Sequence, residues 1–231
     1  MKVCHVFHCT SFRAPMFALG LAAALFASAA SAQTYVFLST FGSTGSGNGQ
    51  FRLPEGVAID PTSHNIVVAD AANDRVQIFD STGTFLAKFG SSGSGNGQFT
   101  NSNGVAIDPT SHNIVVTDDS INERVQIFGP AGAFITLFGS FGSGDAQFSA
   151  VQGVAIDPTS HNILVVDSGN ARVQIFSSAG TFITKFGSFG SGNGQFDHPF
   201  GVAIDPTSHN IVVVDTNNNR VQIFDSAGNY L

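Results

Sequence analysis

The stretch Gly56–Ile66, read as GVAIDPTSHNI, recurs at Gly104–Ile114, Gly153–Ile163 and Gly201–Ile211, in steps of 48, 49 and 48 residues. Two more phrases keep the same pitch. RVQIF begins at Arg75, Arg124, Arg172 and Arg220, and Phe-Gly-Ser opens a glycine-rich loop at Phe41, Phe89, Phe138 and Phe186. Repetition at this period marks an architecture of stacked supersecondary units. The one odd step comes from an extra residue between Asp118 and Arg124, where the first copy runs from Asp70 to Arg75.

Within each repeat, four short segments rich in Val, Ile and Phe are separated by Gly, Pro, Asn, Asp and Ser, the turn formers. In the first copy they predict strands over Gly56–Asp60, Asn65–Asp70, Arg75–Asp80 and Thr84–Phe89. In the third, Val76 and Ile78 alternate with Arg75 and Gln77, the pattern of a half-buried strand. Nowhere in the repeats do apolar residues follow the i, i+3, i+4 spacing of an amphipathic helix, so helix content should be near zero.

Units of four strands in tandem are the pattern of a β-propeller, whose blades bury their faces against one another. The expected fold class is therefore an all-β propeller of four tandem four-stranded blades. In its wording, GVAID, then NIVVAD at Asn65–Asp70, then NDRVQIF at Asn73–Phe79, the unit resembles NHL repeats, over about Phe37 to Leu231. That resemblance implies a propeller that works as a platform for RNA or protein, as an extracellular sensor domain or, in related families, as a lyase. Tyr35–Phe41 aligns with a fourth strand and the chain stops at Tyr230 and Leu231, where another begins. The expectation is a four-bladed ring closed by this N-terminal strand, with an arc of a six-bladed propeller as the alternative.

Residues 1–32 read as a signal peptide: Lys2 and Arg13 precede an apolar run from Met16 to Ala27 and the small residues Ala30, Ser31 and Ala32. The run is ~12 residues, short of the roughly 20 that cross a bilayer. Cleavage after Ala32 would leave a single propeller domain over 33–231, periplasmic or secreted, with no membrane span and a monomer if the ring closes. It would also remove both cysteines, Cys4 and Cys9, and with them any disulfide or thiolate chemistry. The chain carries 16 acidic and 9 basic residues, a net charge of −7 that falls to −9 without Lys2 and Arg13. Such an excess of acid offers little counterion release and argues against nucleic acid as a partner.

The DPTSHN turns are identical in all four copies, whereas the connections before each first strand differ, as do the loops between second and third strands. Propeller topology places both variable sets on one face, either as an asymmetric recognition surface or as loops tolerant of drift. The candidate contacts there are Arg52, Glu55, Asn101, Asn103, Asp119, Ile121, Gln152, His198 and Phe200, with Ile121 and Phe200 as apolar anchors. The expected function is non-catalytic recognition of a protein, peptide or envelope glycan. The alternative is a lyase or lactone hydrolase using a divalent ion and His198, the one histidine outside the presequence that breaks the repeat. A purely structural role is a third reading.

Asp70 with Arg75, Asp118 with Arg124, Asp167 with Arg172, and Asp215 with Arg220 read as structural pairs bridging their own turns. His64, His112, His161 and His209 read as surface-turn residues copied with the repeat, too far apart to share a metal ion. No Lys-Ser or Lys-Thr follows the glycine-rich loops, which sets aside a phosphate cradle. No cofactor and no metal site are expected, with calcium the alternative that these oxygen-rich loops leave open.

Overall fold

The structure, a computed structural model, describes residues 36–231. The proposed signal peptide lies outside the described residues. Ser39–Leu231 form one compact unit. This unit opens with a two-residue parallel pair, β1 (Ser43–Thr44) and β2 (Gln50–Phe51), and continues as four blades. The first blade is β3 (Pro54–Ile59), β4 (Ile66–Asp70), β5 (Arg75–Phe79) and β6 (Phe85–Phe89). The second is β7 (Ser102–Ile107), β8 (Ile114–Asp118), β9 (Arg124–Phe128) and β10 (Phe134–Phe138); the third is β11 (Val151–Ile156), β12 (Ile163–Asp167), β13 (Arg172–Phe176) and β14 (Phe182–Phe186). The fourth is β15 (Pro199–Ile204), β16 (Ile211–Asp215) and β17 (Arg220–Phe224). Each blade is an antiparallel meander. A three-residue 3-10 turn, Ala71–Asn73, is the one helical element among the described residues. The all-β propeller arrangement of four tandem blades is thus observed.

The strands β3, β7, β11 and β15 lie side by side. Their approach is backbone against backbone, which explains the glycine in GVAID: a Cβ at Gly56 would overlap the Asn103 carbonyl oxygen. Each first strand begins two residues earlier than the alternation predicts, with a register shift such as that between Pro54 and Val57. The bulge extends the strand into what reads as connecting loop, so Glu55, Asn103, Gln152 and Phe200 sit on strands.

Between blades the core is aromatic. Phe128 is buried with its ring centroid 4.5 Å from Phe89 of the first blade and 5.7 Å from Phe99, and the same triad recurs around Phe79, Phe176 and Phe224. Phe89 lies over Gly132, which has φ +86° and no room for a Cβ. On the opposite side, the DPTSHN turns join neighbouring blades. His112 Nδ1 lies 2.7 Å from Asp60 Oδ2, His161 Nδ1 2.9 Å from Asp108 Oδ2, and His209 Nδ1 2.9 Å from Asp157 Oδ2. These histidines, read as surface-turn residues, therefore also bridge blades; they take the left-handed φ of +58° to +59° that the turn requires.

One expectation is corrected. The RVQIF strands are not half-buried: every residue of β5, β9 and β13 is buried, Gln77 included. Gln77 lies beneath the glycine-rich loop, accepting from Gly49 N at 3.0 Å and donating to Gln50 O at 2.8 Å, so its polarity is satisfied inside. The proposed closing strand, Tyr35–Phe41, begins outside the described residues. Val36, Phe37 and Leu38 are exposed and in no strand, and the fourth blade keeps three strands plus a single Phe224–Tyr230 bridge. Val57 and Ile59 of the first blade, and Val214, Val221 and Ile223 of the fourth, stay open to solvent. Among the described residues the outer faces of the first and fourth blades are therefore uncovered.

Asp60, Asp108 and Asp157 are shifted up by burial but more strongly down by hydrogen bonds from the turn amides and the bridging histidine, with a net lowering. A carboxyl depressed in the fold contributes stability that is complete above its unfolded pKa, about 3.9, and lost as pH falls through the lower folded value. The urea midpoint should accordingly hold steady down to about pH 5 and drop steeply below about pH 4. Replacing all three by Asn should flatten that acid limb; an unchanged limb would remove these turns as its cause.

Candidate functional site at the axial mouth

A guanidinium fork builds the variable face. Arg75 Nε donates to Asp70 Oδ2 at 2.7 Å, while Nη1 and Nη2 donate to the carbonyls of Ser46, Gly47 and Gln50 in the incoming glycine-rich loop. Asp70 also accepts from Arg52 N, Asn73 Nδ2 and Gln77 Nε2. The same set repeats around Arg124 with Asp118, Arg172 with Asp167 and Arg220 with Asp215, at 2.7–2.9 Å. Burial pushes the Asp118 carboxyl up. In the last blade, where the Arg220 side chain remains 27% exposed, burial is outweighed by hydrogen bonds from Asp197 N, Arg220 and Asn218, and Asp215 is held down. The loop carbonyls that suggested a calcium ligand set accept from arginine. Among the described residues no group of three His, Cys, Asp or Glu side chains is placed to hold a metal ion.

The fork ties each glycine-rich loop to the loop between second and third strands. A backbone bond then ties that second loop to the variable connection: Ala72 N to Arg52 O, Asp119 N to Asn101 O, Gly169 N to Ser149 O and Asn217 N to Asp197 O, all 2.8–3.1 Å. The two variable sets therefore lie side by side on one face.

At the axis of that face, one position from each repeat lines a cavity of about 330 Å³: Glu55, Asn103, Gln152 and Phe200. Asp119 Oδ2 accepts from Asn103 Nδ2 at 3.2 Å and from Gln152 Nε2 at 3.1 Å, and Gln152 Oε1 accepts from Asn103 Nδ2 at 3.1 Å. This network leaves Asn103 Oδ1 as the one buried side-chain polar atom among the described residues without a hydrogen-bond partner. Glu55 is exposed, yet partial desolvation and the nearby negative charge of Asp119 raise its pKa. Phe200 is 54% exposed on the same wall.

The remaining candidates lie elsewhere. Arg52 lines a separate surface recess with Leu53 and Ala72. Ile121 is 81% exposed at the tip of the β8–β9 loop, and Asn101 meets Asp119 through its backbone. His198 Nδ1 lies 2.6 Å from Asp197 Oδ1 and 2.9 Å from Asn217 Nδ2, both in its own blade. The structure thus draws Glu55, Asn103, Asp119, Gln152 and Phe200 together and leaves Arg52, Asn101, Ile121 and His198 outside the cavity wall.

Two residues of the site escaped the sequence reading. Glu123, held at φ +44°, accepts from Ala150 N at 2.9 Å and Val151 N at 3.1 Å and so anchors the start of β11. Burial, then the charges of Asp119 and Asp167, raise its pKa against the lowering by those two amides. Thr117 Oγ1 accepts from Gly104 N and donates to Gln152 O, both at 2.7 Å, joining the second blade to the third beside the network. Each breaks the repeat: Thr117 stands where the other copies have Ala69, Val166 and Val214, and Glu123 where they have Asp74, Ala171 and Asn219.

A family model described as "6-bladed beta-propeller" (DUF5128) matches residues 54–125 and 156–231, more than half of the chain. The chain belongs to this six-bladed β-propeller family. No curated protein gives a significant match. Among solved structures, the propeller resembles a chain in the "Crystal structure of Nidogen/Laminin Complex", with 16% identity and a TM-score of 0.61 over 78% of this chain and 63% of that one. At that identity the likeness is one of fold, and this propeller chain spans less than two thirds of that chain's length.

Removing one member of a buried fork should cost far more than removing an exposed pair. Arg124→Met leaves buried Asp118 without its cation and the Ser94 and Gly95 carbonyls without their side-chain donor, and should cost about 3–5 kcal/mol. Lys185→Met, which breaks an exposed pair with Asp145, should cost less than about 1 kcal/mol. Urea unfolding of the two variants measures the contrast, and equal losses would show that the fork does not hold the loop. Asp119→Asn should lower the Glu55 pKa, followed by carboxyl-carbon NMR titration.

Proposed function

We infer that the chain is a non-catalytic recognition module, an NHL-like propeller exported from the cytoplasm, whose axial mouth binds a protein or peptide segment presenting a basic side chain. The observation that carries this reading is the conjunction at one mouth of Glu55, the Asp119–Asn103–Gln152 network with its unpartnered Asn103 Oδ1, and exposed Phe200. A Lys or Arg head supplies the donors and positive charge that these groups lack, and an aromatic face accepts its cation and stem. All these residues occupy positions where the repeats differ; Glu55, Asn103, Gln152 and Phe200 stand on strands, and Asp119 directly follows β8. The likeness to a chain from a nidogen/laminin complex agrees with protein as the partner class. Export rests on residues 1–32, and an N-terminus beginning at Gln33 in the recovered protein would establish it.

An array of short peptides, half with a central Arg or Lys among apolar residues and half with Asp or Glu there, tests the reading. The basic set should bind, and Glu55→Gln with Asp119→Asn should weaken binding at least about tenfold. Selection of acidic peptides, preference for oligosaccharides on a parallel array, or indifference to both substitutions would refute it.

A further inference from the structure

On the DPTSHN face, away from the axial mouth, a groove opens where consecutive blades meet. Between the third and fourth blades it has a volume of about 350 Å³. Its lining is aliphatic within, with Leu164 and Ile175 from one blade and Ile204 and Ile211 from the other. Its rim is polar, with Thr159, Asn162 and Ser226 beside the Asp157–His209 bridge. The groove between the second and third blades, about 570 Å³, repeats that rim with Thr110, Asn113 and Ser178 beside the Asp108–His161 bridge, next to Ile127 and Ile135. Both volumes lie within the roughly 300–1,000 Å³ of ligand pockets.

The junction between the first and second blades is closed, with about 40 Å³ left. Each of the nine residues lining that space has a counterpart at the third junction, and seven are identical. Of the two that differ, Val67 is smaller than its counterpart Leu164, and only Pro130 is bulkier than its counterpart, Ser226. Pro130 is therefore what closes the groove. At the second junction the same position is Ser178. An uncharged aliphatic ring of the chain itself thus covers at one junction the space that is open at the other two.

The open grooves offer donors and acceptors but no free charge. Among the described residues the side chains of Thr159, Asn162 and Ser226 make no hydrogen bond, nor do those of Thr110, Asn113 and Ser178. The carboxylates are spent: Asp157 Oδ1 accepts from Thr159 N and Ser160 N, and Oδ2 lies 2.9 Å from His209 Nδ1. Asp108 is engaged in the same way by Thr110, Ser111 and His161. A charged group entering either groove would give up water without finding a free counter-charge, and a bare hydrocarbon would strip water from the rim without replacing its hydrogen bonds. No aromatic ring lines either groove, so a sugar finds no platform to stack on. A peptide of uncharged residues meets both demands, with aliphatic side chains for the interior and backbone N–H and C=O groups for the rim. We propose that these two grooves bind an uncharged peptide segment of a partner protein, which seats an aliphatic side chain in each as the Pro130 ring is seated at the first junction. This site is separate from the axial mouth and lies on the opposite face.

The test is a fluorescence-polarisation titration of the full chain with short capped peptides of Ser, Thr and Gly that carry Pro, Val or Leu at two positions. Matched sets carry Asp or Lys there, and neutral oligosaccharides form a third set. Ser178→Pro with Ser226→Pro gives both open grooves the residue that closes the first. The fold accepts it, because the turns Ser177–Gly180 and Asp225–Gly228 are closed by the same bond as Gly129–Gly132, and neither Ser178 N nor Ser226 N donates a backbone bond. The double variant should keep the wild-type melting curve and bind the aliphatic set at least about tenfold more weakly. Adding Pro130→Ser should restore binding by opening the first groove. Glu55→Gln with Asp119→Asn should leave the affinity unchanged. Absence of binding by the aliphatic set up to about 1 mM overturns the proposal. So does undiminished binding by the double variant, failure of Pro130→Ser to restore it, loss of binding on changing Glu55 and Asp119, or equal binding of the charged peptides or the oligosaccharides.

Discussion

The guanidinium of the RVQIF arginine does what no other group in the repeat does: it binds one carboxylate and three carbonyls at once, and those carbonyls belong to the loop arriving from the preceding strand. Without it the glycine-rich loop would bring unpaired backbone oxygens against a buried strand, a cost that glycine flexibility cannot offset. The buried glutamine two residues on completes the seal, with its amide spanning the same loop. Because the loop is held, the phenylalanine on either side of it is held as well, and the aromatic triad between blades follows. Arg, Gln and the paired Phe residues are one device, and that is why they recur together in every copy.

Repetition of that device frees the remaining positions to differ. The invariant face carries His–Asp bridges that join the blades. The opposite face carries the substitutions, and at the axis four non-equivalent side chains converge from equivalent positions. Asn103, Asp119 and Gln152 are joined by hydrogen bonds, while Glu55 and Phe200 stay exposed beside them. Negative charge gathered at a partly desolvated mouth favours a positive group, which is the electrostatic content of the raised Glu55 pKa.

Much of this was legible in the chain before any packing was known. Blade number, strand boundaries to within two residues, the pairing of Asp with Arg and the sharing of one face by the variable loops all follow from turn chemistry and period. The misreadings have a common source. Gln77 looked like the wet side of a strand because alternation describes one sheet face, while the loop covering it is supplied by residues 27 and 28 positions away. His112 is the turn residue it looked like, but its second role stayed hidden because its partner, Asp60, lies 52 positions back in another blade. Glu123 and Thr117 were visible as breaks in the repeat, but only their hydrogen bonds across the junction gave those breaks a role.

By itself, then, the sequence determined the repeating unit: its strands, its turns and the local ion pair, all governed by residues close along the chain, where backbone preference and periodicity decide. Tertiary structure alone decided which variable residues meet at the axis and which histidines bridge the blades. Those outcomes depend on how one blade seats against the next. That seating is set by contacts among Phe, Val, His and Asp side chains one repeat apart, and no pattern within a single repeat encodes the distance across the gap.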